Sequence, residues 1–151
     1  YPDEKFDIGM KVNLHACYYL AHEVGKIMKQ QKGGKIINIG SALSFTADFN
    51  CPPYIIAKHG VIGLTRWLAN ELGEFNVQAN AICPGFLATD INKGQREANP
   101  EFYNHIKDRI PAGFWGDPST LSGTMIFLAS KASDYVNGWY IAVDGGFTTR
   151  L

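Results

Sequence analysis

The chain has 151 residues, 46% of them hydrophobic, and its 14 basic residues balance its 14 acidic ones. That length buries one ordinary core, while zero net charge with no basic block argues against nucleic-acid and anionic-membrane partners. No apolar run approaches the ~18 residues of a membrane span, and the acidic start Tyr1-Pro2-Asp3-Glu4 is unlike a signal peptide.

The first predicted element is a long helix from Phe6 to Gln31, with acids near its start, Lys26 and Lys29 near its end, and Gly33-Gly34 as its stop. Lys35 to Gly40, KIINIG, is a short β-branched apolar run and reads as a buried strand. Ser41 stands where that strand ends, and a polar loop through Asp48, Asn50 and Cys51 follows. Pro52 and Pro53 open a second helix, which Ile55, Val61, Ile62, Leu64, Leu68 and Leu72 carry to about Phe75. Val77 to Cys83 is the next strand and runs into Pro84-Gly85. From Thr89 to Pro111 the chain is polar, with a short helix expected at Glu101 to Asp108 as a substrate lid. Asp117 caps a helix that opens at Pro118 and runs to about Ser130. Asn137-Gly138 turns into a last strand, Trp139 to Val143, and Asp144-Gly145-Gly146 turns out of it.

Three cysteines, Cys17, Cys51 and Cys83, are widely spaced and suit reduced cytosolic thiols better than a disulfide frame or a metal site. His15, His22, His59 and His105 show no ligand spacing with them, and His15 and His22 read as helix-surface groups.

Tyr54 and Lys58 lie four apart, on one face of the first turns of their helix. Ser41 and Pro84 each follow the C-terminal end of a strand, the edge where open α/β sheets bind ligands. A tyrosine, with a reference pKa of about 10, is a poor acid near neutral pH. A lysine cation at ~5 Å, with an effective dielectric of ~20, favours phenolate by about 3 kcal/mol, roughly 2 pKa units. That moves a tyrosine toward general acid–base work, and a serine hydroxyl across the pocket can hold a carbonyl oxygen. The chemistry implied is hydride transfer between a nicotinamide and a carbonyl or alcohol. Taken alone, Tyr54 also fits an amphipathic helix and Lys58 a solvated surface. Ser44 competes with Ser41 for the serine role at a ten-residue spacing from Tyr54.

With Asn13 in KVNL, Ser41 in NIGS, Tyr54 and Lys58 in YIIAK, NAICPGFLATD from Asn80 to Asp90 and IAVDGG from Ile141 to Gly146, the chain resembles the C-terminal part of the short-chain dehydrogenase/reductases. The resemblance covers essentially all of it. It implies the C-terminal part of a Rossmann-type, doubly wound parallel α/β sheet, NAD or NADP as cofactor, and an Asn-Ser-Tyr-Lys tetrad. Asn13 would hold a relay water, Ser41 orient the substrate oxygen, Tyr54 act as acid–base, and Lys58 serve both Tyr54 and the nicotinamide ribose. Pro84, Gly85, Leu87 and the Thr89 hydroxyl would line the nicotinamide amide. From the sequence alone Asn13 is better read as a helix-surface amide, and Thr89 could simply cap the next segment.

The family's glycine-rich cofactor turn is absent from the sequence, so residues 1–151 read as an incomplete domain lacking about 100 residues and four strands. That leaves an open apolar sheet edge, and the chain expressed alone is expected to be inactive and aggregated or molten. The tail from Asp108 to Gly146 resembles the sugar-acid branch, the 2-deoxy-D-gluconate 3-dehydrogenase and gluconate 5-dehydrogenase type, apart from Phe114 where an arginine is common. A sugar acid needs a cation for its carboxylate. Lys93, Arg96 and Arg109 are the candidates, with Asn50 and Asp48 across the loop; each also reads as a solvated group. The alternatives are a 3-oxoacyl carrier-protein reductase, which would want a basic surface, and a non-enzymatic remnant. The resemblance also implies a homotetramer and a cytoplasmic location.

Overall fold

Asp3 and Glu4 favour a helix start, and the chain is helical from there to Gln31. The computed structural model describes residues 1–150. The rod is α1 (Asp3–Met10), a π-helical segment (Lys11–His15) and α2 (Ala16–Gln31), not the uninterrupted helix from Phe6 expected. The π segment sits where the rod presses on α3 (Pro52–Leu72). A Cβ on Gly9 would stand 2.7 Å from Pro53 Cβ, and one on Gly60 2.9 Å from Leu14 Cδ2.

The stop of the rod differs from the glycine cap expected. Lys32, not Gly33, takes the left-handed conformation, with φ 55°. Its N–H donates to Lys29 O at 3.4 Å and that of Gly33 to Met28 O at 3.3 Å, the paired bonds of a Schellman end. Gly34 instead lies under the Met28 side chain, which would have to shift to admit a Cβ there. Lys32→Gly should therefore stabilise the fold by about 0.5–1 kcal/mol, read as a higher urea midpoint. A lower midpoint would mean that the exposed lysine contributes something its backbone strain does not cancel.

The β-branched run becomes β1 (Gly34–Ile39), and the apolar run after α3 becomes β2 (Val77–Pro84). β3 (Tyr140–Val143) completes a parallel sheet in the order β1-β2-β3. Val77 to Cys83 are buried, as a central parallel strand covered on both faces requires. Ile36 faces α2 and α3 in a core with Leu64, Leu68, Leu72, Val77 and Ala79. Asn38, on the same face of β1, donates to Thr65 Oγ1 of α3 at 2.9 Å. Lys35 points the other way and meets Asp134 at 2.8 Å, just beyond α6 (Ser122–Ala129). Helices thus cover both faces, as a doubly wound sheet requires.

Among the described residues β1 pairs with β2 alone. Its other edge faces a groove of about 370 Å³ whose lining includes Val12, Asn13, Leu20, Val24 and Lys58. This is the open edge expected from the sequence.

The polar stretch after β2 holds two helices where one was expected, α4 (Asp90–Ala98) and α5 (Pro100–Arg109). A 3₁₀ turn, Pro118–Leu121, opens the helix capped by Asp117, whose carboxylate accepts from Ser119 N–H at 2.8 Å. Among the described residues no helix is long and apolar enough to cross a membrane.

Candidate active site

The C-terminal ends of β1 and β2 and the first turns of α3 converge on a cavity of about 320 Å³. Ser41, Tyr54, Pro84, Gly85, Leu87 and Thr89 line it, with Asn92 and Trp115. Six residues singled out from sequence therefore share one space.

Ser41 is buried and extended, and its Oγ accepts from Leu43 N–H at 3.1 Å. That uses an acceptor site and leaves the O–H proton to donate. Tyr54 stands in the first turn of α3 behind Pro52 and Pro53. One turn on, Lys58 Nζ lies 5.5 Å from the centroid of the Tyr54 ring and donates to Ile39 O at 2.9 Å. Burial pushes the ammonium below the ordinary lysine value, and the nearby thiols of Cys17 and Cys83 oppose that. A half-buried cation thus stands beside the tyrosine ring, one helical turn along α3.

Asn13 does not line the cavity. It shares the neighbouring groove at the open edge of β1 with Lys58, and its Nδ2 donates to Gly9 O at 3.0 Å. It lies within the π-helical segment, a feature frequent at functional sites. Lys58 is thus the group on the groove side of the cavity.

Pro84-Gly85 is fastened from below. Gly85 N–H donates to Val143 O at 3.0 Å, and a Cβ on Gly85 would stand 2.6 Å from Asp144 Cα. The Asp144 carboxylate accepts from Gly146 and Thr148 N–H, both at 2.9 Å. Burial acts to raise its pKa, but the Thr148 hydroxyl, which donates at 2.7 Å, and these N–H bonds together hold it below the usual carboxylate range.

Thr89 both lines the cavity and caps α4, so the two readings of it are compatible. Its N–H donates to Asn92 Oδ1 at 3.1 Å, and Asn92 Nδ2 donates to Leu87 O at 2.8 Å. Arg96 adds Nε to Asn92 at 2.8 Å and a second guanidinium bond to Thr89 O at 3.3 Å. Asn92 and Trp115 are cavity residues that the sequence reading missed. The Thr89–Asn92 spacing, that of an N-cap and its N3 partner, was the available signal for Asn92.

The cations proposed for a substrate carboxylate are not brought to the cavity. Arg96 is spent on Asn92 and Thr89, Arg109 lies 4.8 Å from the centroid of the Phe147 ring, and Lys93 is exposed. Asn50 and Asp48 are exposed in their loop. Ser44 is turned inward, away from the cavity.

Fold and cleft define a parallel α/β protein with a mostly apolar pocket, bordered by Ser41, Tyr54 and Thr89, at the carboxyl edge of its sheet. The chain matches, over residues 1–148, the family model described as Enoyl-(Acyl carrier protein) reductase, and it belongs to the short-chain dehydrogenase/reductase family. It is 46% identical over 151 residues to the 2-dehydro-3-deoxy-D-gluconate 5-dehydrogenase of Dickeya dadantii, covering 99% of this chain and 59% of that one. It is 38% identical over 151 residues to the 5-keto-D-gluconate 5-reductase of Escherichia coli K12, covering 100% of this chain and 59% of that one. The gluconate 5-dehydrogenase of Burkholderia cenocepacia, solved with NADP and tartrate, superposes with a TM-score of 0.96 at 36% identity, over 100% of this chain and 59% of that one. The chain spans about three-fifths of the length of these relatives.

The residues present fit the nicotinamide end of such a cofactor. Ser41, Tyr54 and Thr89, each with a hydroxyl, and the segment Pro84–Leu87 line one space, with Lys58 Nζ 5.5 Å from the Tyr54 ring.

Proposed function

We propose that the complete gene product transfers hydride between NAD or NADP and a secondary alcohol or ketone of the gluconate class. The observation that carries this reading is the shared cavity of Ser41, Tyr54 and the Pro84–Thr89 segment, with Lys58 behind Tyr54. The sugar-acid relatives support the substrate class. The nicotinamide supplies or accepts the hydride when bound. Ser41 donates its free proton to the substrate oxygen and holds it in place. Tyr54 gives that oxygen a proton during reduction and takes one during oxidation. Lys58 favours the phenolate and reaches the ribose, and Asn13, beside it in the groove, holds a water that passes the proton outward. Pro84, Gly85, Leu87 and Thr89 orient the nicotinamide amide. Residues 1–151 are then the catalytic and substrate-binding part of the domain, inactive alone, within a cytoplasmic homotetramer.

Assay of the complete gene product by nicotinamide absorbance, with gluconate-type acids and acyl-thioester ketones side by side, tests the reading. Turnover on the sugar acids is expected. Turnover confined to the thioesters would replace it with a carrier-protein reductase, and no turnover on either would favour a non-enzymatic protein.

A further inference from the structure

Ser44 is the serine that the proposed chemistry leaves unused, and its surroundings are unlike those of Ser41. It is 3% exposed. Its Oγ accepts from Ser41 N–H at 3.1 Å and donates to the Lys58 carbonyl at 2.8 Å. A carbonyl has two lone pairs, so this one can serve Ser44 together with a helical partner. Lys58 is tied to the same strand end a second time, through Nζ and Ile39 O at 2.9 Å. The end of β1 and the second turn of α3 are therefore joined on both sides of one lysine.

The space around Ser44 is closed. A Cβ on Gly40 would stand 3.1 Å from Ser44 Oγ and 2.6 Å from Cys83 Sγ. Burial pushes the Cys83 thiol up, while hydrogen bonds to the Ser41 main chain and the Ser44 side chain and the Lys58 charge oppose that. Ser41 Oγ bonds within its own turn, to Leu43 N–H. Of the side-chain bonds made by residues 41–44, the one from Ser44 to Lys58 is the one that leaves the turn.

The geometry points to Ser44 as a positioning residue, whose single hydroxyl couples the Ser41 main chain to the Lys58 turn of α3 and so sets the separation of the Ser41 and Tyr54 hydroxyls across the cavity. Ser44 touches neither substrate nor cofactor. Its kinetic consequence rests on the dehydrogenase reading above; the tie itself belongs to the fold. The coupling matters because a displacement of about 1 Å at a reacting group can cost on the order of 100-fold in rate.

The test uses Ser44→Ala and Ser44→Cys in the complete gene product. The cysteine variant keeps most of the volume but offers only a weak donor and acceptor. The first measurement is hydrogen exchange on peptides spanning residues 40–46, which needs no turnover. Exchange at the Ser41 amide should be roughly tenfold faster in both variants. Unchanged protection in either overturns the coupling, whatever the protein catalyses. The second is steady-state kinetics with cofactor titration. We expect kcat to fall about 30-fold in both variants, with KM and cofactor Kd within about threefold of the parent. A purely structural serine would lower Tm while leaving kcat per folded molecule within about twofold, and that result overturns the proposal. Recovery of kcat in Ser44→Cys would do the same, because it would make the role one of volume. If Ser44→Ala does not fold, the cysteine variant decides alone. A parent without turnover on any carbonyl substrate defeats the dehydrogenase reading and leaves exchange to decide the coupling.

Discussion

Tyr54→Phe in the complete gene product should lower kcat by at least about 100-fold and leave cofactor affinity within about threefold of the parent. The substitution removes one atom, the phenol oxygen of a residue that lines the cavity, and keeps the ring that Lys58 approaches at 5.5 Å. Packing of the first turn of α3 behind Pro52 and Pro53 is retained, so the loss falls on proton transfer rather than on folding. Absorbance kinetics and a fluorescence titration of the reduced cofactor read the two quantities separately. Retention of more than about a tenth of kcat, a loss below ~1.4 kcal/mol, would remove Tyr54 from the acid–base role. Lys58→Ala should behave differently and harm both turnover and cofactor binding. It takes away the cation beside Tyr54, the group proposed for the ribose, and the bond to Ile39 O.

The contrast between these two substitutions is visible in sequence because the residues that carry it lie on strongly marked elements. KIINIG is β-branched and apolar, and Pro52-Pro53 pre-set the dihedral angles of a helix start. Ser41, Tyr54 and Pro84 are therefore anchored to element ends that local chemistry defines, and the structure brings them to one cavity. What was illegible depends on distant contacts. Lys11 to His15 contain nothing that distinguishes a π turn from an α turn; close packing of Gly9 on Pro53 and Leu14 on Gly60 accompanies it there. The sequence offers two glycines for the end of α2, yet Lys32 takes the left-handed position and Gly34 lies beneath the Met28 side chain. Ile91 is the only large apolar residue of α4, DINKGQREA, so no apolar stripe announces it, and only the Thr89–Asn92 cap marks its start. Charge alone nominated Arg96 for a substrate carboxylate, but its guanidinium is engaged by Asn92 and Thr89. Ser41 and Ser44 differ by three positions, and only their bonding partners separate an outward hydroxyl from an inward tie.

Asn80→Ala should produce the largest loss of stability of any single amide truncation in the sheet, about 2–4 kcal/mol. Asn80 is 2% exposed in the central strand. Its Nδ2 donates to Val136 O at 2.7 Å and its Oδ1 accepts from Trp139 N–H at 3.0 Å. Those two groups flank the Asn137-Gly138 turn that delivers the chain into β3, and β3 has only four residues with which to hold its register. Truncation leaves a carbonyl and an N–H without their partner and opens a small cavity, and both effects add to the cost. Because Pro84-Gly85 hangs from Val143 at the far end of β3, the loss extends to the floor of the cavity. Asn80→Asp separates the two bonds. An ionised carboxylate can still accept from Trp139 but faces the Val136 carbonyl with a second oxygen and no proton. Burial and that repulsion raise its folded-state pKa above the unfolded value of about 3.9. The folded state then binds the proton more tightly than the unfolded one. Below about pH 3.9 the acid is protonated in both states and can donate to Val136, and stability relative to Asn falls as pH rises from there through the raised folded-state pKa. Thermal unfolding of parent, Ala and Asp variants from pH 4 to 8 reads this directly. An Asp variant whose Tm deficit is the same at both ends of that range would show that the Val136 bond contributes nothing.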